Sequence, residues 1–515
     1  MSYAIKLSDL LEKARELRSP HIVLDDTQLQ GVNSIINSIE KGGMSIGVGP
    51  PGTGKTVIFN IAQKEVFERL DDDEIIVYIA PTNRLVEECA VRTLKYMLEK
   101  GLSEADLKNL VRVYGSRFKA EPLEKEIKVV FTTPYQPGAL KSLHSMKNSL
   151  HLMVDEASTT PLHGPFIELA MSMVNIIREK RLDWFHSFSI IGDPMQAIVE
   201  GYKLQEKFRL LIVGRILMEA IPQSERSLVR EDPSVIFKLA KSHLPSLGIG
   251  YFFLENTYRI PKPTEYLVSI PFYSSMLKGV EDYKQRLSGV KRESPGTKSK
   301  VLDRCKLIRN TIRDALDNAL DSCIPVVYFR DRGQAYKGKA GRRPPEIEEL
   351  DVLRARISYE IAAYLLASTA DPIRVEVLTP YVEMKTQMQL GLRQLVGEEL
   401  KQELDRRVKI STVHSALGSE ADIVIVTMGK EYRGEGISET IYFQTPELIN
   451  VQFSRHRRLL VIIGNVEALV RNFEKVKHAK NVSRLREALN ELRQQGLVTE
   501  ANIDGKKANS TLIFR

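Results

Sequence analysis

The segment GVGPPGTGKT, residues 47–56, decides the fold class of the first half of this chain. Within it, residues 49–56 match the pattern G-x-x-x-x-G-K-[ST] where an apolar run gives way to a helical pattern. Glycines at these positions let backbone N–H groups close around phosphate oxygens, and the following helix N-terminus adds a favourable dipole. The segment therefore predicts a phosphate-binding loop between a strand and a helix.

Single residues of this loop have distinct expected roles. Lys55 is expected to reach the β- and γ-phosphates of ATP, and Thr56 is expected to offer its hydroxyl to Mg²⁺. The other expected nucleotide contacts in the loop are Gly49, Pro50, Pro51, Gly52, Thr53 and Gly54. ATP and Mg²⁺ are therefore the cofactors that the sequence predicts.

An acidic pair follows in MVDEAS, residues 153–158, directly after an apolar run. Asp155 is expected to hold Mg²⁺, directly or through water, and Glu156 to orient and deprotonate the attacking water. An apolar run followed by two acids is common in proteins, and the pair gains meaning because it follows a phosphate-binding loop. Together the two segments predict an NTPase without specifying what the hydrolysis drives, and ring-forming AAA+ ATPases also carry such a loop.

Short runs rich in Ile and Val alternate with helical patterns along both halves of the chain, as in βαβ units with buried parallel strands. The runs in the first half are residues 44–49, 75–80, 128–133, 150–157 and 188–193. Those in the second half are residues 325–331, 374–381, 408–415, 422–428 and 458–465. The expected fold class is therefore α/β, with two parallel-sheet domains.

The amino-acid composition limits the classes of protein to which this chain can belong. The 515 residues, of which 43% are hydrophobic and 27% charged, exclude a mostly disordered chain and are enough for several domains. The net charge of +8 favours a polyanionic partner without proving one.

The cysteines and the apolar stretches indicate in which cellular compartment the protein is expected. Cys89, Cys305 and Cys323 are far apart and form no CxxC pair, which disfavours a disulfide framework or a thiolate zinc site. No stretch approaches about 18 uncharged apolar residues, so we expect no transmembrane helix. The charged N-terminal segment does not resemble a signal peptide, and the expected location is the cytoplasm.

Eight further segments resemble the motifs of superfamily 1 helicases. They are LDDTQLQGV (24–32), APTNRLVEEC (80–89), FTTP (131–134), IIGDPMQ (190–196), ENTYRIP (255–261), VLTPY (377–381), STVHSALGSEADIVIV (411–426) and NVQFSRHRRLLVIIGN (450–465). The resemblance covers residues 20–470 and is closest to the 5′→3′ branch, the group of the nonsense-mediated decay helicase and senataxin. It implies two RecA-like P-loop NTPase domains with small helical insertions, and ATP bound between the two lobes.

The resemblance also implies roles for residues outside the loop. Gln28 resembles the glutamine that recognises adenine, and Gln196 is placed to sense the γ-phosphate. Arg259 and Arg455 are expected to neutralise charge on the transferred phosphoryl group, although a lone arginine is more often a surface ion pair. For Glu420, a bond to the ribose, a place in the arginine cluster and a helix cap remain open.

A single strand of DNA or RNA is the implied partner, held across both lobes by groups that contact the phosphate backbone. The candidates are Thr82, Asn83, Thr132, Thr133, Thr379, Tyr381, Thr412 and His414. Each of them is about as well explained as a strand-end cap or turn residue. The sequence does not choose between DNA and RNA, and we expect a monomer without a membrane partner.

Several residues depart from the family pattern. Leu417 stands where a glutamine is usual, His414 where an acid is common, and His456 follows Arg455 where an alanine is usual. These changes keep two alternatives open. One is a remodelling ATPase that unwinds poorly, and the other is a nucleic-acid-binding scaffold that uses ATP as a switch.

The expected domain organisation follows from the order of these segments. It comprises a first RecA-like domain at 1–200 with a small accessory insertion at 90–125, a helical connection at 201–255, a second RecA-like domain at 256–477 with an insertion at 279–322, and a tail at 478–515 with a helix and a small hairpin.

Overall fold

The computed structural model describes most of the chain. The described residues are 4–18, 23–119, 121–136, 149–158, 186–196, 212–291, 299–305, 310–336, 349–370, 372–398, 400–416, 419–433, 446–474 and 480–503. They divide into two compact units, each built around one parallel sheet. The first unit comprises Met1–Val229 and Val235–Asn256, and the second comprises Arg230–Ser234 and Thr257–Arg515.

Among the described residues, the sheet of the first unit has seven strands in the order β3-β4-β2-β5-β6-β1-β7. The strands are β1 (Gly43–Val48), β2 (Glu74–Ile79), β3 (Val111–Val113), β4 (Val129–Thr132), β5 (Ser149–Val154), β6 (Ser187–Gly192) and β7 (Gly250–Phe253). Every pairing in this sheet is parallel. All carboxyl ends of the strands therefore meet at one edge, where side chains from distant segments can converge.

Helices cover the sheet of the first unit because their apolar stripes need a partner. They are α1 (Leu7–Glu16), α2 (Asp26–Lys41), α3 (Lys55–Phe67), α4 (Asn83–Glu99), α5 (Glu104–Leu110), α6 (Ile212–Ala220) and α8 (Ile236–His243). Leu10, Ile35, Phe59 and Ala90, one from each of the first four helices, lie in the same buried cluster as the strand residue Phe131. The short helix α7 (Arg226–Glu231) contains the point where the chain first passes from one unit to the other.

In the part of the second unit that the structure describes, the sheet has six strands in the order β13-β12-β14-β16-β10-β17, again all parallel. The strands are β10 (Val326–Arg330), β12 (Val375–Thr379), β13 (Val408–Thr412), β14 (Ala421–Thr427), β16 (His456–Gly464) and β17 (Val498–Asn502). Four short strands form two further pairs, β8 (Asn256–Thr257) with β9 (Lys278–Gly279) and β11 (Ala335–Tyr336) with β15 (Tyr432–Arg433).

The helices that accompany the second sheet include one long central helix, α13. They are α9 (Tyr266–Phe272), α10 (Tyr283–Leu287), α11 (Ser299–Arg304), α12 (Asn310–Asp321), α13 (Glu349–Ser368), α14 (Val382–Val396), α15 (Lys401–Arg407), α16 (Glu447–Phe453), α17 (Val466–Phe473) and α18 (Leu485–Gln494). Most residues of α13 are buried, including the charged residues Asp351, Arg354 and Glu360, so its apolar residues form no single helical stripe.

The expectation of two parallel α/β sheets is confirmed, and each apolar run of the sequence overlaps an observed strand. Three strands of these sheets, β3, β7 and β17, were not among the predicted runs. β7 lies within residues 201–255, where the sequence indicates a helical connection, yet it pairs with β1 and completes the first sheet. β3 lies within residues 90–125 and is the opposite edge strand.

In the tail at 478–515 the predicted helix is α18. The strand that follows it, β17, pairs in parallel with β10 and extends the second sheet. The predicted hairpin includes residues 504–515, which lie outside the described residues. Among the described residues, we find no helix with both the length and the apolar character needed to cross a membrane.

Candidate active site

The phosphate-binding loop connects β1 to α3 at the carboxyl edge of the first sheet. Gly52 and Gly54 have φ angles of +76° and +86°, which side chains other than glycine rarely adopt. A Cβ added to Gly49 would lie 2.3 Å from Cγ of Lys55, so the lysine stem occupies the space that this glycine leaves. Nζ of Lys55 donates to the carbonyl oxygen of Gly49 at 3.0 Å, which folds the lysine over the loop.

The acidic pair at the end of β5 lies directly against the loop. The hydroxyl of Thr56 donates to Oδ2 of Asp155 at 2.7 Å, and Nζ of Lys55 lies 3.3 Å from Oε1 of Glu156. The backbone N–H of Glu156 donates to Oδ1 of Asp155 at 2.8 Å. The structure therefore brings together Lys55, Thr56, Asp155 and Glu156, four of the residues for which the sequence predicts nucleotide or Mg²⁺ chemistry.

Glu156 occupies an uncommon backbone conformation, with φ at +45°. A residue other than glycine in this region is strained, and such residues cluster at functional sites. The conformation places the Glu156 carboxylate beside Lys55 while Asp155 turns toward Thr56.

Burial raises the pKa of the Asp155 carboxyl, and the nearby Glu156 charge raises it further. Hydrogen bonds from Thr56 and Tyr78 act in the opposite direction because they stabilise the ionised form. A hydroxyl beside a buried carboxylate is an oxygen donor set that suits Mg²⁺, so Thr56 and Asp155 fit this ion. When bound there, Mg²⁺ would neutralise charge on the nucleotide phosphates.

Tyr78 is a site residue that the sequence analysis missed. Its hydroxyl donates to Oδ2 of Asp155 at 2.8 Å, and its ring packs between Phe59 and Phe131 in the core. Within the run IIVYIA a tyrosine has the pattern of a core residue, so nothing in the local sequence distinguishes it.

Gln28 lies beside the loop. Its Nε2 donates to the carbonyl oxygen of Thr53 at 2.9 Å, and its Oε1 accepts from the backbone N–H of Asp25 at 3.2 Å. The second bond belongs to the capping box that begins α2. Gln196 follows β6 and is buried, and its backbone N–H donates to the carbonyl oxygen of Asp193 at 3.0 Å.

The arginines of the second unit surround Glu420. Nε of Arg259 lies 2.9 Å from Oε2 of Glu420, and Nη2 of Arg457 lies 3.2 Å from Oε1. Partial burial acts to raise the pKa of Glu420, but Arg259, Arg457 and Arg455 outweigh it and lower that pKa. The structure therefore places Glu420 in an arginine cluster, one of the three roles left open by the sequence. Arg455 is buried, and its Nη1 donates to the carbonyl oxygen of Ser419 at 3.4 Å.

The nucleic-acid candidates of the first unit follow β2 and β4. Thr82 is exposed and caps α4 by accepting from the backbone N–H of Leu85 at 3.3 Å. Nδ2 of Asn83 donates to the hydroxyl of Ser116 at 3.0 Å. Thr132 and Thr133 are buried at the end of β4. These positions share the carboxyl edge of the sheet with the phosphate-binding loop.

The candidates of the second unit lie at the ends of β12 and β13 or just after them. Thr379 is buried, and among the described residues its hydroxyl has no hydrogen-bond partner. The hydroxyl of Tyr381 accepts from the backbone N–H of Lys430 at 3.0 Å. Thr412 donates to the hydroxyl of Ser415 at 2.9 Å, and the half-buried His414 begins the turn that follows. Leu417 lies outside the described residues.

Comparison with known proteins finds that this chain is similar to helicases. A family model described as DEAD/DEAH box helicase matches residues 28–182, and one described as AAA domain matches residues 238–467. Human RNA helicase Mov10l1 is 22% identical in an alignment of 489 positions, which covers 89% of this chain and 35% of the human protein. Regulator of nonsense transcripts 1 from Dictyostelium discoideum is 20% identical over 93% of this chain and 34% of that protein.

This chain thus spans about a third of the length of these two relatives. Among solved structures, S. cerevisiae Dbp5 bound to RNA and ADP BeF3 covers 96% of this chain and 93% of its own, with a TM-score of 0.41 and 12% identity.

Proposed function

We propose that this chain is a superfamily 1 helicase in the branch of the nonsense-mediated decay helicase, and that it is an ATP-driven motor on nucleic acid. In this proposal it hydrolyses ATP, moves 5′→3′ along single-stranded DNA or RNA, and unwinds duplexes. The free cysteines Cys89, Cys305 and Cys323 support a reducing compartment, for which the cytoplasm is our proposal.

The convergence of the loop and the acidic pair is the observation that carries the ATPase proposal. Phosphoryl transfer needs positioning and electrostatic stabilisation more than covalent chemistry. Lys55 lies between the Gly49 carbonyl and Glu156, so it is held where a phosphate chain on the loop would meet it. We assign Glu156 to the attacking water, and Thr56 with Asp155 to Mg²⁺.

Residues outside the loop complete the proposed reaction. Gln28 is the proposed adenine contact, and its bond to the Thr53 carbonyl supports a place beside the loop. Gln196 is the proposed γ-phosphate sensor. Arg259 and Arg455 are the proposed cations for phosphoryl transfer, and loss of such an arginine typically slows turnover by about 10³-fold or more.

The strand-binding proposal rests on the carboxyl edge of each sheet. In both units the candidate hydroxyl, amide and aromatic groups follow strands at this edge. Such groups contact phosphates and sugars without identifying bases, which suits a motor that moves over any sequence. The net charge of +8 favours the same polyanionic partner.

The first experiment is the steady-state ATPase rate with and without single-stranded DNA and RNA, for the natural protein and for Glu156→Gln. We expect stimulation by at least one polymer, and we expect Glu156→Gln to abolish turnover while nucleotide binding persists. Glu68→Gln, which changes an exposed carboxylate paired with Lys100, is the matched control and keeps the full rate.

An ATPase rate that neither DNA nor RNA raises would contradict the proposal of a nucleic-acid motor. Strand binding that depends on ATP without hydrolysis would then favour the ATP-switched scaffold. If turnover is stimulated, duplexes with 5′ or 3′ single-stranded overhangs test the polarity, and failure to open either one favours a remodelling ATPase.

A further inference from the structure

Arg286 lies outside every motif that the sequence analysis identified, yet it contacts two of them. It belongs to the short helix α10, within residues 279–322 that the sequence indicates as an insertion. Its Nη2 donates to the backbone carbonyl oxygen of Tyr258 at 2.5 Å, and its Nη1 donates to those of Arg259 and of Arg457, the latter at 3.0 Å. One guanidinium therefore joins the TYRIP and SRHRR segments through their backbones.

The guanidinium itself is held in place. Nε of Arg286 donates to Oε2 of Glu281 at 2.8 Å, and only 10% of the arginine side chain is exposed. Helix α10 is anchored because Tyr283 and Leu287 are buried and because the carboxylate of Asp282 caps its first turn. A side chain fixed at both ends loses little further freedom when it binds the carbonyl groups.

A second arginine strengthens the connection between α10 and β16. Nη1 of Arg458 donates to the backbone carbonyl oxygen of Arg286 at 2.7 Å, and its Nε donates to Oδ1 of Asp422 at 2.9 Å. A Cβ added to Gly289 would lie 2.6 Å from Nη1 of Arg458, so the chain after α10 also passes close to this arginine. Arg286 of α10 therefore donates to a carbonyl group of β16, and Arg458 of β16 donates to a carbonyl group of α10.

We propose that Arg286 is a positioning residue that fixes the backbone of Arg259 and Arg457, and thereby holds the arginines of both motifs in one geometry for ATP hydrolysis. This inference rests on the proposed ATPase function. Only arginine suits the position, because its planar fork carries five N–H donors whereas a lysine ammonium offers three from one point. Arg286 need not touch the nucleotide, since it acts through the segments that it binds.

Arg286→Lys tests this role, with Arg407→Lys as the matched control. Arg407 is also a buried arginine of the second unit that binds backbone carbonyl groups, those of Ile373 and Thr369, and a carboxylate, that of Glu403. It lies in α15, away from the arginine motifs. Both substitutions therefore remove comparable bonds, and only the first removes them from the TYRIP and SRHRR segments.

We expect Arg286→Lys to lower kcat on the order of 10²-fold, because a displacement of about 1 Å in a catalytic group can cost that much. The KM for ATP should change little. Affinity for the transition-state mimic ADP–aluminium fluoride should fall by a similar factor while affinity for ADP alone is kept. Arg407→Lys should leave all three quantities near the natural values, even if it lowers the melting temperature equally.

A double substitution separates positioning from general damage. In the Arg259→Ala background, Arg286→Lys should slow turnover far less than it does alone, because the arginine that it positions is already absent. Glu281→Gln, which removes the carboxylate that holds Arg286 but keeps its carbonyl bonds, should produce a smaller loss of kcat in the same direction.

The possible failures can be told apart. If the natural protein shows no ATPase activity with either polymer, the proposed function fails before this inference is tested. Suppose instead that the natural protein hydrolyses ATP. If Arg286→Lys then behaves like Arg407→Lys, Arg286 is merely structural and the inference is overturned. The same holds if Arg286→Lys slows turnover by the same factor in the Arg259→Ala background as it does alone. If Arg286→Lys does not fold, Glu281→Gln tests the inference through the same measurements, namely kcat, the KM for ATP and the affinity for ADP–aluminium fluoride.

Discussion

Tyr78 shows how one hydroxyl in the core can tune a site at the edge of a sheet. Asp155 is completely buried, and burial raises the pKa of its carboxyl, which opposes the ionised form that the proposed Mg²⁺ site needs. The Tyr78 hydroxyl donates to this carboxylate and partly offsets that effect. The tyrosine thus has a chemical role as well as its packing role.

Tyr78→Phe removes the hydroxyl and keeps the ring, so packing against Phe59 and Phe131 is preserved. We expect the Mg²⁺ concentration for half-maximal ATPase activity to rise by about 10-fold, the lower range for loss of a group that supports a metal ligand. The measurement is a Mg²⁺ titration of the ATPase rate at fixed ATP.

Tyr251→Phe is the matched control, because this buried tyrosine of the first unit donates to the Phe237 carbonyl at 3.3 Å. It should leave the Mg²⁺ titration unchanged. An unchanged titration for Tyr78→Phe would show that Thr56 and the backbone suffice to orient Asp155.

His456 departs from the usual alanine of its motif, and the structure gives it a packing role. The side chain is completely buried, and its Nε2 lies 2.9 Å from the hydroxyl of Thr264. Burial, together with the positive charge of Arg286, lowers the pKa of His456 to about 3. The folded protein therefore keeps this imidazole neutral under conditions in which the unfolded chain protonates it.

This pKa predicts that acid destabilises the second unit. Below the ordinary histidine pKa of about 6.5, the unfolded state binds a proton that the folded state excludes, so stability falls as pH drops toward 3. At pH 5 the cost is about 2 kcal/mol relative to neutral pH. His456→Gln should remove this part of the acid sensitivity, measured as the free energy of unfolding in urea at pH 8 and pH 5.

His243→Gln, which changes a half-buried histidine beside Glu225, is the control variant for the same unfolding measurement at pH 8 and pH 5. All other titrating groups are common to His456→Gln and the natural protein, so the difference between their losses of stability isolates His456. Equal loss of stability on acidification in both would contradict the prediction.

At the scale of elements, length and burial decided which strands the sequence could predict. The long runs that became β14 and β16 are central in the second sheet and apolar on both faces, so they stand out. The strands β3, β7 and β17 lie at sheet edges. Edge strands are short or partly polar, as in the Val498–Asn502 sequence VTEAN, and they resemble loops until their neighbour is known.

Helix α10 is too short to carry a periodic pattern, with only five residues. Its segment is polar and basic, which is typical of a solvated surface. Only tertiary structure reveals that Arg286 on this helix binds backbone groups of two motifs distant in sequence.

At the scale of the whole molecule, the excess of basic residues predicts how strand binding responds to salt. Each phosphate that a lysine or arginine neutralises releases counterions, so affinity falls as a power of the salt concentration. We expect affinity for a single-stranded oligonucleotide to fall about tenfold or more between 50 and 200 mM salt, as for a few phosphate contacts. Fluorescence anisotropy with a labelled oligonucleotide measures this dependence.

Oligonucleotides of different base composition should give the same slope, because the proposed contacts address the backbone. A flat response to salt would contradict phosphate contacts as the source of affinity, even if the ATPase experiment succeeds.

The sequence by itself determined the fold class, the phosphate-binding loop and the acidic pair, because these depend on local patterns. A glycine-rich loop between a strand and a helix, and two acids after a buried strand, are each written in consecutive residues. The position of Lys55 beside Glu156 follows once both strands are known to be parallel, since their carboxyl ends then share an edge.

Tertiary structure alone decided the contacts made by side chains whose local pattern indicates something else. Tyr78 resembles a core residue, Arg286 a solvated charge, and Glu420 had three open roles until Arg259 and Arg457 were found beside it. The physical reason is common to them. A hydrogen bond or ion pair depends on distances of a few ångströms between groups far apart in the chain, and periodicity and composition carry no information about those distances.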